Sequence, residues 1–545
     1  MDYQKLANLL FPDMDKSIDY YLTKYPKRTL QKGAEVTRIA PSPTGFLHVG
    51  TIYGALIDWF TASQTNGVYY MRLEDTDSKR EVANAGQIAY DMLSYYNVKP
   101  MEGYAGSNPQ TGLYGDYIQS HRTTIYKTFA KHLVSIGRAF PCFCTKSESK
   151  QDVINRRNQE LEESEDIEGK DPCRNLTYDE IQEKIKEKQP FAIRLLSKGD
   201  PEKTFEFEDL IKGKRTIREN NKDIVLLKSN GIPPYSLAHL VDDTLMGTTI
   251  VVRGEEWYPS LPAHLELFDA CGLPRLRYAH TPVICKNDET GGKRKLSKRK
   301  DPEADARYFI EQGYPKIALI EYLINLLNSD FEPWRSANPN TPYTQFNFQI
   351  SKIGSNNPMF DFNKLNDVSK LIISKMSAKE VYDNILSWAK EFNANFAEFL
   401  AKNTEFCLKV FNIDRETPKP RKDIYNWSMV ENYYSYMFNR PTTTELDTQD
   451  VNNYKEFIAT YSKNFTLATN KEDWFNGIKQ IAENLGYATD NKIYKSNPEA
   501  FKGNTAKACE FIRLALTGRK NSPDLYEIMV ILGEKEIKLR LLSQL

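Results

Sequence analysis

The chain has 545 residues, 40% hydrophobic and 27% charged, which is too long for one hydrophobic core and too apolar for a disordered polymer. Lysine plus arginine and aspartate plus glutamate balance at 73 each, so net charge neither points to a polyanionic partner nor excludes one; local basic patches decide that. No apolar run approaches the ~20 residues that span a bilayer. Met1–Lys5 lacks the plan of a secretory signal, and Asp2, Asp13, Asp15 and Asp19 do not suit a transit peptide. A cytoplasmic protein with no membrane contact is therefore expected. The seven scattered cysteines are no disulfide framework.

Residues 1–33 read as a helical extension, with apolar groups Leu6/Leu9/Leu10 and Tyr20/Tyr21/Leu22 separated by Pro12 and ended near Pro26. Val36–Ala40 is a short strand and Ile52–Ser63 an apolar helix. Asn66-Gly67 then turns the chain into a second strand, Val68–Leu73. Strand, helix and strand make a βαβ unit and hence a parallel sheet. From Lys146 to Lys188 the chain is charged and helical, an insertion between two halves of that sheet. Strand signals return at Ile224–Leu227 and Thr248–Arg253. Beyond Lys300 the pattern is helical, as in Lys316–Leu327, Ala378–Phe399 and Tyr526–Leu542. The expected architecture is an α/β front half followed by an all-α back half. No Gly-x-x-x-x-Gly-Lys-Ser/Thr loop is present, so any use of ATP needs another kind of site.

Two stretches carry the chemistry. In Pro43-Thr44-Gly45-Phe46-Leu47-His48-Val49-Gly50-Thr51 an imidazole sits at a helix mouth, where unpaired N–H groups and the helix dipole favour an anion. Such an imidazole can donate to a phosphate oxygen as charge builds in an in-line displacement, and Gly50 leaves room for a nucleotide ring or ribose. In Lys293-Arg294-Lys295-Leu296-Ser297-Lys298-Arg299-Lys300, six of eight residues are cationic. A solvated charge run is the plain reading of that stretch. A mobile lysine pair that clamps a triphosphate is the functional one.

Together these stretches resemble the two signature sequences of class I aminoacyl-tRNA synthetases. His48-Val49-Gly50-Thr51 stands for His-Ile-Gly-His, and Lys295-Leu296-Ser297-Lys298-Arg299 for Lys-Met-Ser-Lys-Ser. Arg38–Gly45, Arg72–Asp77, Leu237–Asp243 and Val252–Trp257 narrow the resemblance to glutamyl-tRNA synthetases of the bacterial type. The match runs from about Val36 to Lys300.

That resemblance implies a Rossmann-like parallel-sheet domain with an inserted α+β acceptor-binding domain, then an all-α anticodon-binding half. The domains would be the extension 1–33, catalytic halves 34–115 and 233–300 around an insertion 116–232, a stem-contact domain 301–385 and an anticodon-binding domain 386–545. It implies ligation of L-glutamate to tRNA with ATP and Mg²⁺, through a glutamyl-adenylate whose formation needs tRNA. Arg253 would bind the glutamate side-chain carboxylate, a task suited to a planar five-donor fork. The plain alternative for Arg253 is an ion pair with Glu255 or Glu256. Arg38, Ala40 and Ser42 would line the same pocket, Glu74 would receive the α-amino group, and Tyr235 and His239 would add contacts. ATP would meet His48, Gly50, Thr51, Glu256, Trp257, Lys295 and Lys298; His48, Lys295 and Lys298 would be the catalytic groups. No side-chain nucleophile is required, so positioning and electrostatics carry the reaction.

Some relatives hold zinc at a match to Cys142, Cys144 and Cys173. Three thiolates do not close a tetrahedral site. Three free thiols are thus the expectation, with zinc completed by Asp171 as the alternative. Candidate tRNA contacts are Lys212, Lys214, Arg215, Lys419, Arg421, Lys422, Arg513, Arg519 and Lys520. Tyr433, Tyr434 and Tyr436 could stack bases, although core packing is the expectation for most of them. A monomer is expected, with tRNA(Glu) as polymer substrate and tRNA(Gln) too if the enzyme is of the non-discriminating form. An inactive RNA-binding paralogue would not keep His48, Glu74, Arg253, Lys295 and Lys298 together.

Overall fold

The computed structural model describes residues 1–43, 45–76, 82–144, 171–463 and 465–545. They form two compact units, Met1–Tyr308 with Ile320–Asp361, and Phe309–Leu319 with Phe362–Leu545.

In the first unit the strand Val36–Ile39 pairs in parallel with Val68–Met71, which pairs in parallel with Glu102–Gly103. A second parallel pair, Ile250–Gly254 with Arg277–Thr281, lies beside the first strand, because the Thr249 N–H donates to the Val36 carbonyl at 2.9 Å. Both faces of the first strand are buried, so it reads as an apolar run without alternation. The helix Val49–Gln64 crosses between the first two strands and is itself buried along most of its length. Gly67 closes this βαβ unit at a point of close approach: a Cβ there would lie 1.8 Å from the Glu35 carbonyl oxygen.

The extension forms the helices Tyr3–Leu10 and Ile18–Lys24, capped by Asp2 and Ser17. It is part of the core rather than an appendage. Leu6, Ala7, Leu10 and Phe11 share a cluster with Phe129, Ala130 and Leu133 of the helix Thr123–Ser135. Arg28 closes the extension with a fork on Glu102 at 2.7 and 2.8 Å and a bond to the Met246 carbonyl at 2.8 Å.

The insertion contains more strand than the sequence suggests. An antiparallel sheet joins Ala139–Cys142, Ala192–Leu195 and Val225–Leu227, and a hairpin joins Thr204–Asp209 to Gly213–Arg218. On the hairpin Phe205, Phe207 and Ile217 pack toward Val251 and Tyr278, while Glu206 and Glu208 between and beyond the phenylalanines are exposed. That alternation brings the inner end of the hairpin, Asp209, against the strand Arg277–Thr281. The expected charged helix survives as Tyr178–Lys186 with a Thr177/Glu180 capping box; Gln159–Glu163 lie outside the described residues.

The second unit is all-helical among the described residues, the last strand of the chain being Lys293–Lys295. Of the helices expected beyond Lys300, Lys316–Leu327, whose residues are divided between the two units, has the expected bounds. The run expected over 378–399 breaks at Asn393 into Ala378–Phe392 and Ala394–Lys402, because the Asn393 side chain caps the second helix through Phe396 N. Gly533, at φ 76°, kinks the terminal helix Leu525–Leu542. No helix among the described residues is long and apolar enough to cross a membrane.

Candidate active site

A cleft of about 430 Å³ opens at the carboxyl ends of the parallel strands. Of the residues expected to meet glutamate, Arg38, Ala40, Ser42, Glu74, Tyr235 and Arg253 line it. Of those expected to meet ATP, His48, Gly50, Thr51, Glu256, Trp257 and Lys295 line it.

His48 is the N-cap of the helix Val49–Gln64, and its Nδ1 accepts the Gly50 N–H at 2.9 Å. The Nε2 side therefore carries the proton in the neutral ring. Burial, the Lys298 and Lys295 ammonium groups lower its pKa, against a hydrogen bond to the Leu296 backbone that raises it. Gly50 lines the cleft, and a Cβ there would lie 2.9 Å from His48 Nδ1, so a larger residue at this position would collide with the capping ring. The open glycine is Gly54, one turn further along the helix and also on the cleft wall, where a Cβ would meet nothing within 4 Å.

The second signature stretch is more than a solvated charge run, although all of its cations except Arg294 are exposed. Lys295 lies in a hairpin with Cys285–Asn287, and Leu296 is buried and bonded to the Ile284 carbonyl. Arg294 forks onto Asp301 at 2.6 and 2.7 Å. Lys295 Nζ reaches Glu256 at 3.1 Å, and Lys298 Nζ donates to the Phe46 carbonyl. Lys298 is thus held by the first signature stretch and Lys295 by the Val252–Trp257 stretch. Lys298 itself does not line the cleft.

Arg253 has no carboxylate partner among the described residues. The ion-pair alternative fails because Glu255 pairs with Lys212 at 2.7 Å and Glu256 with Lys295. Arg253 Nε instead donates to His280 Nε2 at 3.0 Å and Nη1 to His264 Nδ1 at 3.1 Å, with Tyr235 Oη at 3.5 Å. The Tyr278 ring lies under the guanidinium at 4.7 Å, and Nη2 is buried without a partner. A cation held by neutral acceptors keeps its full charge for an incoming carboxylate.

Arg38 is different. It lines the cleft, but its guanidinium is committed to Asp243 at 3.1 Å, the Val252 carbonyl at 3.1 Å and Tyr235 Oη at 3.4 Å. It belongs to a buried floor in which Arg38, Arg72 and Arg122 face Asp242, Asp243 and Glu74. Arg72 bonds Asp243 at 2.7 Å and Glu74 at 2.9 Å, and Arg122 bonds Asp242 at 2.7 Å. Opposite charges balanced within hydrogen-bond reach offset the desolvation that an unpaired ion would suffer. Burial pushes the Glu74 carboxyl up while Arg72 pulls it down. His239 also needs correction: it is fully buried and does not line the cleft. It donates to Asp243 at 2.5 Å, accepts from Tyr278 at 2.8 Å and stacks behind Tyr235 with ring centroids 5.2 Å apart.

Sequence reasoning assigned no role to Arg72, Arg122, Asp242, Asp243, His264, His280 or Asp209. The adjacent Asp242-Asp243 on an otherwise apolar helix, Tyr235–Leu245, was a usable signal for buried partners. The remaining residues gave none.

Cys142, Cys144, Cys173 and Asp171 converge, their ligand atoms within 4.8 Å of one another. The Cys142 thiol donates to Asp171 at 2.9 Å and Cys144 Sγ lies 3.7 Å from Cys173 Sγ. Burial pushes the Cys144 thiol up to about 11. Arg194 approaches Asp171 at 3.3 Å.

Several basic residues proposed as RNA contacts are already engaged within the second unit, Lys520 in an exposed ion pair. Arg513 bonds the Ser522 and Pro523 carbonyls, Arg519 the Asn432 and Tyr433 carbonyls, Arg421 Asp423, and Lys520 Asp447. Tyr434 and Tyr436 are buried, as core packing required. Lys212 is likewise engaged by Glu255, whereas Lys214, Arg215, Lys419 and Lys422 are exposed or half-buried.

Residues 35–353 match the family model of class I tRNA synthetases (E and Q), catalytic domain, and residues 436–545 match an anticodon binding domain. A glutamate–tRNA ligase of Clostridium perfringens (strain 13) is 42% identical, the alignment covering 99% of this chain and all of that one. One from Acetivibrio thermocellus is 43% identical over 99% of each. The crystal structure of the glutamate–tRNA synthetase from Elizabethkingia anophelis has the same fold, with TM-score 0.70 at 24% identity over 94% of this chain and 99% of that one. The chain belongs to the class I tRNA synthetases of the glutamyl and glutaminyl branch, within the glutamate–tRNA ligases.

Proposed function

We propose that this cleft activates L-glutamate with ATP, supplied as its magnesium complex, and passes the glutamyl group to the 3′-terminal adenosine of tRNA(Glu). The observation that carries the reading is Arg253: a buried guanidinium on the wall of the cleft, with a spare nitrogen and no acidic partner among the described residues. A glutamate side chain supplies the missing carboxylate.

The remaining groups have complementary tasks. Glu74 receives the α-ammonium group, and Tyr235 closes over the side chain. The glutamate α-carboxylate oxygen attacks the α-phosphorus, the bond to the bridging oxygen breaks, and pyrophosphate leaves. His48 presents its Nε2–H to the α-phosphate as negative charge gathers there. Lys295 exchanges Glu256, and Lys298 the Phe46 carbonyl, for phosphate oxygens of the departing group. The terminal ribose hydroxyl of tRNA then attacks the mixed anhydride and AMP leaves. We place activation under the control of bound tRNA, with the enzyme acting as a monomer.

ATP–pyrophosphate exchange tests this directly. Exchange should depend on glutamate, require tRNA and not respond to other amino acids. Exchange supported by another amino acid but not by glutamate would overturn the assignment.

The donor set Cys142, Cys144, Cys173 and Asp171 fits zinc, since three soft sulfurs and one carboxylate supply the four ligands of a closed structural site. Such an ion would tie the strand Ala139–Cys142 to the Pro172–Asn175 turn and take no part in the chemistry. Metal analysis of protein prepared without chelator should give one zinc per chain, lost in Cys144→Ser; equal metal in the two proteins would remove the site.

A further inference from the structure

Arg253 is held in place by groups to which no role has been given. His280, on the strand Arg277–Thr281, accepts the Arg253 Nε–H at 3.0 Å through Nε2. Its Nδ1 lies 2.6 Å from Asp209 Oδ2, and its backbone N–H also faces Asp209. A carboxylate can only accept, so Nδ1 carries the proton and Nε2 is left with its lone pair toward Arg253. Asp209 thereby fixes the tautomer.

Asp209 reaches this position from outside the catalytic sheet. It ends the first strand of the hairpin Thr204–Arg218, and its Oδ1 accepts the N–H groups of Ile211 and Lys212 at 3.0 and 2.9 Å. Burial raises its carboxyl, but the bonds from His280 and from those two N–H groups more than offset this and hold it below the usual carboxylate range. Burial, opposed by Asp209 and reinforced by Arg253, keeps His280 below the usual histidine range. On the other side, His264 accepts Arg253 Nη1 through Nδ1 and turns Nε2 to Ser236 Oγ at 3.1 Å.

The electrostatic consequence is specific. Had a carboxylate held Arg253, as Asp243 holds Arg38, the guanidinium would be neutralised before substrate arrived. Imidazole acceptors orient the fork and leave its charge whole. Asp209, the nearest acid in the chain of bonds, is one imidazole further away.

We infer that Asp209 and His280 are positioning residues for amino-acid recognition, which orient Arg253 toward the substrate side-chain carboxylate without cancelling its charge. The inference rests on the glutamate reading given above. It also makes the insertion hairpin a contributor to amino-acid selection, although no residue of that hairpin lines the cleft.

The test is tRNA-supported ATP–pyrophosphate exchange by the full-length enzyme and three variants, with KM measured separately for glutamate and for ATP. His280→Phe removes the acceptor and keeps a planar ring; its glutamate KM should rise about 10- to 100-fold, the loss expected for one hydrogen bond to a charged group. Its ATP KM should stay within about twofold, by the same bond-by-bond reasoning. His280→Gln, which keeps an acceptor oxygen, should recover most of the loss. Asp209→Asn should raise the glutamate KM about 3- to 10-fold, since an amide no longer fixes the tautomer with a full charge. If His280→Phe does not fold, Asp209→Asn and His280→Gln decide the matter. A glutamate KM unchanged in both His280→Phe and Asp209→Asn overturns the inference, as does an equal rise in both KM values. A wild type that gives no glutamate-dependent exchange overturns the glutamate reading and the inference with it.

Discussion

Replacing Arg253 by Gln removes one positive charge from the cleft and keeps a polar side chain of comparable reach. A carboxylate about 4 Å from a guanidinium gains about 1 kcal/mol at the dielectric of water and about 4 kcal/mol at the effective value of 20 found near protein surfaces. The Arg253 side chain is almost fully buried, at 8% exposure, but the cleft it faces is open to solvent, so an intermediate value of about 2 to 3 kcal/mol is appropriate. That corresponds to a glutamate KM raised about 30- to 150-fold. The ATP KM should hold within about threefold, because no bond of Arg253 reaches the His48 helix or the signature lysines. Arg253→Lys keeps the charge but cannot serve His264, His280 and substrate at once, so it should fall between wild type and Gln. The assay is tRNA-supported pyrophosphate exchange across a glutamate titration, with thermal unfolding run in parallel to detect the cost of the orphaned histidines. A glutamate KM within threefold of wild type in Arg253→Gln would refute the reasoning.

Three other outcomes follow from separate parts of the molecule. Lys298→Ala should slow activation at least about 100-fold while changing glutamate binding little, because its contact is made with the departing phosphates; an equal loss in both would contradict that role. Gly67→Ala should lower the thermal midpoint by several degrees, since its Cβ would overlap the Glu35 carbonyl and part the first two strands; an unchanged midpoint would mean that the turn yields freely. His239, ordinarily near 6.5, is lowered to about 4 by burial, against the pull of Asp243 and with Arg253 and Arg38 adding to the depression. Below pH 6.5 the unfolded chain takes up a proton that the folded one refuses, so stability falls as pH drops from 6.5 toward 4. The His239 share is about 2 kcal/mol at pH 5. Urea unfolding at pH 7.5 and pH 5 should therefore show a smaller pH effect in His239→Gln than in wild type, and equal effects would exclude that share.

What the sequence disclosed was what neighbours in the chain can disclose. His48 is legible because a cap and its helix are consecutive, and Lys295 and Lys298 because they share a short loop. Arg253 is legible through the words around it. Its partners are not: His264 and His280 come from a helix and a strand further along the chain, and Asp209 from the hairpin of the insertion, with no periodicity linking them. The same limit explains His239, whose family position suggested a substrate contact while its packing makes it the backing for Tyr235. That a side chain at Gly50 would meet the His48 ring was not legible, because it depends on the capping direction of that ring. In the second unit, Arg513 and Arg519 looked available for RNA until loop carbonyls, invisible in a sequence, claimed them. The extension, expected to be helical, forms two helices, yet its burial against Thr123–Ser135 depends on a surface built a hundred residues later.

The account as a whole stands on glutamate being joined to tRNA at this cleft. The most direct measurement is charging of purified tRNA(Glu) and tRNA(Gln) with labelled glutamate and ATP, by wild type and by Arg253→Gln at subsaturating glutamate. The account predicts labelled glutamyl ester on tRNA(Glu) with wild type and a loss of about 30-fold or more with the variant; label on tRNA(Gln) as well would identify the non-discriminating form. No ester on either tRNA, or equal charging by the two proteins, would contradict it.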